Sequence, residues 1–263
     1  FSYQRVFGPA QSPGWLRVSA WPGEQHALQL ELRNVAPSQM LGVVTRIRRL
    51  FDLDADPQAI AHTLGASPQL APLIERYPGL RLPGGWDGFE VAVRAVLGQQ
   101  VSVAAARTLA SRLVQRYGTP IEAPGTSGLD RLFPDAQQLA VANLDQMGIT
   151  QARINTLHGI AQALIEGRVD FGMEQALDTF VRRWVQLPGI GEWTAHYIAM
   201  RVLKHPDAFP AADLILRREA NPDGPPLSTK AMQTLAESWR PWRAYSVLYL
   251  WRAATDAAAL KRI

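Results

Sequence analysis

Val185-Gln186-Leu187-Pro188-Gly189-Ile190-Gly191-Glu192-Trp193-Thr194-Ala195 is the stretch on which the rest of the chain turns. It joins two helical segments through a tight turn. Glycine has no Cβ, so Gly189 and Gly191 can take positive φ and let a foreign atom approach the main chain. Gly191 stands just before a helix whose first N–H groups have no intrahelical partner. Those amides and the helix dipole favour an anion, most simply a phosphate. Read alone, the same string is also an ordinary helix–helix turn, where such glycines are common.

Downstream, Trp193 and Tyr197 are four residues apart and share one face of the helix that follows the turn. Aromatic pairs at this spacing serve either as core or as a platform for a flat ligand. Further on, Phe209-Pro210-Ala211-Ala212-Asp213-Leu214-Ile215-Leu216-Arg217-Arg218 sets Asp213 where an aspartate opens a helix. A capping carboxylate is held in place while one oxygen stays free, so the cap does not exclude a second role. Helices are expected over the stretch holding Leu177, Phe180, Val181 and Trp184, and two or three more from Glu192 to the end.

Upstream, Asp87 with Glu90 reads as a capping box, followed by Phe89, Val93, Val96 and Leu97 at helical spacing. Ser102 caps a helix that ends at Gly118, and Thr150 opens one closed by Gly167. The stretch from Pro120 to Pro134 is a loop by composition. Asp56-Pro57 and Ser67-Pro68 are cap-then-proline helix starts, with stops at Gly65 and Pro78-Gly79, and Arg81-Leu82-Pro83-Gly84-Gly85 is a linker. Before residue 50 the pattern changes. Trp15 to Ala20 alternates, Leu28, Leu30 and Leu32 share a face, and Pro22-Gly23-Glu24-Gln25 lies between, which predicts a β-hairpin. Phe1 to Phe7 supplies a third strand. So small a sheet must lean on helices. The expected fold is α+β, mostly α: a β layer over residues 1–50 and a helical body over 51–263 in two lobes, about 86–205 and about 51–85 plus 206–263.

The 263 residues are 47% hydrophobic and 19% charged, a globular balance. No apolar run reaches the roughly 18 residues of a membrane helix, so a soluble protein is expected. Lys+Arg number 27 against 23 Asp+Glu, for a net +4 that permits an anionic partner. The lysines are Lys204, Lys230 and Lys261. The absence of cysteine excludes disulfides, thiolate zinc, cysteine nucleophiles and iron–sulfur clusters. His26, His62, His158, His196 and His205 are scattered without HExxH spacing, and neither GxxxxGK[ST] nor GxGxxG occurs, which argues against zinc chemistry, nucleotide hydrolysis and a dinucleotide cofactor. The chain begins at Phe1 with no basic-then-apolar leader, so no targeting signal is visible and a fragment or trimmed chain is expected.

The turn and the Asp213 segment together resemble the helix-hairpin-helix DNA glycosylase superfamily, and several blocks narrow the resemblance to the AlkA-like 3-methyladenine DNA glycosylases. Those blocks are Arg49-Leu50-Phe51-Asp52-Leu53, Gly79-Leu80-Arg81-Leu82-Pro83-Gly84 with Phe89-Glu90, Leu97-Gly98-Gln99-Gln100-Val101-Ser102-Val103, the hairpin, and Trp239-Arg240-Pro241-Trp242-Arg243 through Trp251. They span about residue 40 to about 252. The resemblance implies that Asp213 is the catalytic carboxylate and that Trp193, Tyr197 and Trp251 form the base pocket. It implies that Gly189, Gly191 and Thr194 bind DNA, and that Gln100 is the wedge filling the gap left by a flipped nucleotide. The best-known relative has leucine at the wedge and the endonuclease III branch glutamine. It further implies a monovalent cation on the main-chain carbonyls of Val185, Leu187 and Ile190, and phosphate contacts from Arg201, Arg217, Arg218 and Arg243. Because Trp193 stands where strand-cutting members carry a Schiff-base lysine, a monofunctional enzyme is implied.

The implied protein is thus a cofactor-free, cytoplasmic, nucleoid-associated monomer acting on double-stranded DNA with alkylated bases, its β layer truncated relative to the family and sometimes fused to an alkylation-response regulator. Two other readings stand beside it: a non-catalytic helix-hairpin-helix DNA-binding module, and a glycosylase of the oxidised-guanine or mismatch kind.

Overall fold

A computed structural model describes residues 2–23, 26–122 and 128–260, with side chains as far as residue 257. The alternating N-terminal segment forms β1 (Ser2–Phe7), β2 (Gly14–Ala20) and β3 (Leu28–Arg33), an antiparallel sheet in that order. Val18 faces Leu30, and Leu16 faces Leu32, as the hairpin reading requires. Glu24 and Gln25 of its turn, and Phe1 of the third strand, lie outside the described residues. The segment before residue 50 is not all strand, however. Pro37–Leu50 is a helix, α1, with proline in its first turn and the Gln39 side chain returning to the Ala36 N–H at 3.2 Å. Val43 and Ile47, one turn apart, pack on Leu16 and Val18 to make a small core separate from the main one.

The helical body follows as α2 (Pro57–Gly65), α3 (Ala71–Arg76), α4 (Gly88–Leu97), α5 (Val103–Tyr117), α6 (Ala136–Ala140), α7 (Gln151–Ile165), α8 (Leu177–Trp184), α9 (Glu192–Ile198), α10 (Leu214–Glu219), α11 (Thr229–Ala236) and α12 (Arg243–Leu260). Asp56, Ser102 and Thr150 cap α2, α5 and α7 as their side chains predict. Ser67-Pro68 does not start α3, which begins at Ala71. The Ser67 hydroxyl instead accepts the Trp239 indole N–H at 3.0 Å and donates to Gln69 Oε1. The Asp87 box is half made: Asp87 accepts the Glu90 N–H, but the Glu90 carboxylate turns away to Arg5 of β1 (2.5 Å) and Arg94 (2.8 Å). Burial alone would raise the Glu90 carboxyl, and the two guanidinium charges more than offset it, holding it below its ordinary value. The sheet layer is thereby tied to α4.

The main core is built around Trp184, Trp239, Tyr249 and Phe180, all fully buried. A second polar tie sits behind it. Asp52, buried just after α1, accepts from the Leu82 N–H (2.8 Å), the Tyr245 hydroxyl (2.9 Å) and Lys204 Nζ (2.7 Å). Burial and the Asp52 charge push the Tyr245 hydroxyl far up. The linker is pinned as well, by Gly84 N–H to Leu50 O and Gly85 N–H to Arg201 O, each 2.9 Å. Among the described residues no helix is long and apolar enough to cross a membrane.

Candidate active site

The α8–α9 turn is anchored by two residues three apart. Leu187 and Ile190 point into the core, while Val185, Pro188, Gly189 and Gly191 are exposed. The Leu187 N–H returns to Trp184 O at 3.1 Å, and the Leu187 carbonyl accepts the Ile190 N–H at 3.0 Å. Gly189 has φ +83, the left-handed region, and a Cβ there would lie 1.9 Å from Thr156 Oγ1 of α7. Gly191 differs from expectation. It caps α9 in an extended conformation (φ −89, ψ 172) open to any residue, and a Cβ on it would meet nothing. The space before the amides of α9, which have no side-chain cap, is therefore clear.

Asp213 caps α10, its Oδ1 accepting the Leu216 N–H at 3.0 Å. Its other oxygen, expected to stay free, instead accepts the Trp193 indole N–H at 2.7 Å, because α9 packs that ring against the α10 cap. The carboxylate is thus fixed by both oxygens and tied directly to the helix that follows the hairpin. It is 9% exposed, and its neighbours Leu214 and Ile215 stand out into solvent. Trp193 and Tyr197 stack with ring centroids 5.4 Å apart and planes within 6°. Trp251 meets Tyr197 at 6.4 Å and 45°. The three rings expected together are in contact, and Asp213 hydrogen-bonds the first. All three are half-buried, and Tyr197 and Trp251 pack against the main core with one side. Trp193 and Tyr197 also wall an open cleft of about 300 Å³, with Gly98, Val101, Val103 and Arg107 opposite. That is the size of the smallest ligand pockets.

Gln100 lies on the turn between α4 and α5, exposed, with φ +54. Thr194 is turned inward instead of toward a ligand: it is buried, and its Oγ1 accepts from Gln99 Nε2 at 3.2 Å, so its hydroxyl is taken up inside the protein. Of the four arginines, Arg243 is not a free cation. It forms two 2.7 Å bonds to Asp207 and leans on Glu237, with its side chain only 12% exposed. Arg217 is half-buried and bonded to the Leu227 carbonyl. Arg218 is exposed, and Arg201 lies 5.8 Å over the Tyr197 ring. Sequence reasoning missed the roles of Gln99 and Arg153, whose bonds cross the fold, and of Thr156, whose hydroxyl bonds locally but whose side chain stands against Gly189; none of these leaves a local pattern.

His196, on α9, holds the Asp213 segment from behind: its Nδ1 accepts the Phe209 N–H at 3.3 Å. Burial, helped by the Arg243 charge, keeps its ring below the ordinary histidine range, and burial does the same to His205 against the pull of Asp207. The unfolded chain therefore takes up protons on these rings at about pH 6.5, before the folded chain does. Stability is full above that pH and falls as pH drops through it. The melting temperature should decline as pH falls from about 6.5 toward 5. His196→Asn, whose Oδ1 can accept the same N–H, should flatten the decline, and an unchanged slope in thermal unfolding would count against this account.

Residues 1–87 match the family described as the AlkA N-terminal domain, and residues 93–244 match the HhH-GPD superfamily of base excision DNA repair proteins. A probable bifunctional transcriptional activator/DNA repair enzyme AlkA of Mycobacterium tuberculosis is 41% identical over 212 residues, which are 81% of this chain and 42% of that protein. The chain therefore spans less than half of that relative. DNA-3-methyladenine glycosylase 2 of Escherichia coli is 33% identical over 230 residues, 86% of this chain and 77% of that one. Among solved structures, a 3-methyladenine DNA glycosylase from Archaeoglobus fulgidus has the same fold, with a TM-score of 0.80, 20% identity, and coverage of 95% of this chain and 85% of that one. With the turn, the capped aspartate and the ring stack placed as described, the chain belongs to the HhH-GPD superfamily of base excision DNA repair proteins.

Proposed function

We propose that the chain removes alkylated purines, of the 3-methyladenine and 7-methylguanine type, from duplex DNA by hydrolysing the N-glycosidic bond, and leaves the strand uncut. The observation that carries this reading is the Asp213 carboxylate, held by Leu216 N–H and Trp193 Nε1–H beside the ring stack. A pure DNA-binding module has no use for an anion fixed in that way.

Alkylation at N3 or N7 makes the purine cationic, so it departs as a neutral base and needs little acid. The enzyme has three tasks. The exposed turn at Gly189 and Gly191 holds backbone phosphate, which gives register without reading bases. The Gln100 turn fills the duplex when the nucleotide swings out, a step costing a few kcal/mol. The faces of Trp193, Tyr197 and Trp251 attract the cationic ring, a contact worth about 0.5–2 kcal/mol. As the bond from C1′ to the base nitrogen breaks, its electron pair leaves with the base. Asp213 stabilises the sugar cation, water bonds to C1′, and the water's proton goes to solvent. Carbonyls of the turn are hard donors of the kind a monovalent cation takes. That of Leu187, though used by Ile190 N–H, keeps a second lone pair, so Val185, Leu187 and Ile190 are the residues that would bridge such a cation to phosphate.

Among the described residues no lysine stands at the pocket to form a Schiff base. Lys204 is held by Asp52 and the Leu82 carbonyl, Lys230 is exposed on α11, and Lys261 lies outside the described residues. A methylated, end-labelled duplex incubated with the chain should therefore release free 3-methyladenine and stay full-length until alkali is added. Nicking by the protein alone would refute the monofunctional assignment. Release of oxidised guanine in place of methylated purines would move the chain to the other branch. Action as a monomer at the cytoplasmic nucleoid, without a cofactor, completes the proposal.

A further inference from the structure

Gln99 is tied at three places, and each tie runs to a different part of the fold. Its N–H ends α4 on the Val96 carbonyl at 3.2 Å. Its side-chain amide uses both hydrogens: Nε2 donates to the Gly189 carbonyl at 3.1 Å and to Thr194 Oγ1 at 3.2 Å. Its own carbonyl accepts from the Arg153 guanidinium of α7. The next residue, Gln100, is exposed, makes no hydrogen bond among the described residues, and has φ +54. A left-handed glutamine is unfavourable and persists only where its surroundings impose it. The bonds that flank it in the chain are the ties of Gln99.

We infer that Gln99 is a positioning residue that fixes the spacing between the Gln100 turn and the Gly189 turn, so that holding the phosphate and expelling the nucleotide are one rigid operation. The inference rests on the repair reading above and deepens it. Without the amide, residue 100 relaxes to an ordinary φ and its side chain leaves the register the hairpin sets. Bond breaking at a base that is already out of the stack is untouched, because the hydrogen bonds of Gln99 among the described residues go to Val96, Gly189, Thr194 and Arg153 and not to the pocket rings or Asp213.

The test uses the intact chain with a duplex carrying 2-aminopurine next to a tetrahydrofuran abasic analogue, whose fluorescence rises on unstacking and needs no catalysis. Gln99→Ala should lower the unstacked fraction about tenfold, the equivalent of about one net hydrogen bond. In a Gln100→Ala background the same change should add almost nothing, because the two act in series. Excision from a single-stranded methylated oligonucleotide should be unchanged. Additive effects, an equal loss on the single strand, or no loss at all would each overturn the inference. If Gln99→Ala fails to fold, Thr194→Val against Thr194→Ser decides the matter from the other side of the bond. Valine should show part of the loss and serine none, and equal behaviour of the two overturns the inference. A wild-type chain that excises nothing would sink the repair reading alone, since fluorescence still reports the coupling.

Discussion

Asp213→Asn should slow release of 3-methyladenine from methylated duplex DNA by about three powers of ten while leaving the fold intact. A carboxylate about 4 Å from a developing sugar cation, at an effective dielectric near 20, contributes about 4 kcal/mol, and each 1.36 kcal/mol is about a factor of ten in rate. Asparagine keeps the shape but not the charge. It also cannot serve both partners, since Leu216 N–H and Trp193 Nε1–H each present a hydrogen to the side chain and an amide has only one oxygen to offer. Asparagine caps helices about as well as aspartate, so α10 should hold. Single-turnover release and melting temperature therefore separate the two roles. A rate lost far beyond the small fall in melting temperature that one missing hydrogen bond brings supports the anion, and equal release from both proteins removes the assignment.

Gly189→Ala should both destabilise the chain and loosen its hold on DNA. A side chain at φ +83 costs roughly 1–2 kcal/mol. The new methyl would also lie 1.9 Å from Thr156 Oγ1, and pressing an atom into packed surroundings costs typically 1–3 kcal/mol. Together these come to about 3 kcal/mol, or roughly 6–10 °C in melting temperature for a chain of this size. Thr156→Ala in the same protein removes Oγ1 and Cγ2 and should recover most of the steric share, leaving the residual 3.0 Å approach to Cβ of residue 156 and the backbone share. The native Oγ1 bond to Ala152 O is local to α7, so its loss alone is minor. Thermal unfolding with fluorescence anisotropy on an abasic-analogue duplex measures both effects. A Gly189→Ala chain as stable and as tightly bound as the parent would show that the turn tolerates what its geometry forbids.

What was legible in the sequence was what is local. Caps at Asp56, Ser102, Thr150 and Asp213 act within one turn, so each could be read from its own neighbourhood. The strand alternation and the shared face of Trp193 and Tyr197 are likewise periodic. Failures came where a side chain found a distant partner. Glu90 left its own helix start for Arg5, Ser67 gave its hydroxyl to Trp239, and Arg243, read as a phosphate neighbour, is spent on Asp207. Helix α1 was overlooked because its Val43 and Ile47 stripe is short and sits behind strands that set the expectation for the whole segment. At the site, the rings and the aspartate could be named, but not the indole N–H that joins them.

That joint constrains how the pocket can change. In the proposed reaction Trp193, which stacks on Tyr197 and donates its indole N–H to Asp213, is at once a wall of the base pocket and the arm that aims the carboxylate. Any redesign at this position that alters which rings are welcomed must also let the acid swing, so selectivity and turnover would drift together. Among the described residues Tyr197 and Trp251 make no hydrogen bond to the carboxylate, so under the proposed reaction adaptation to a new lesion has its freest ground there.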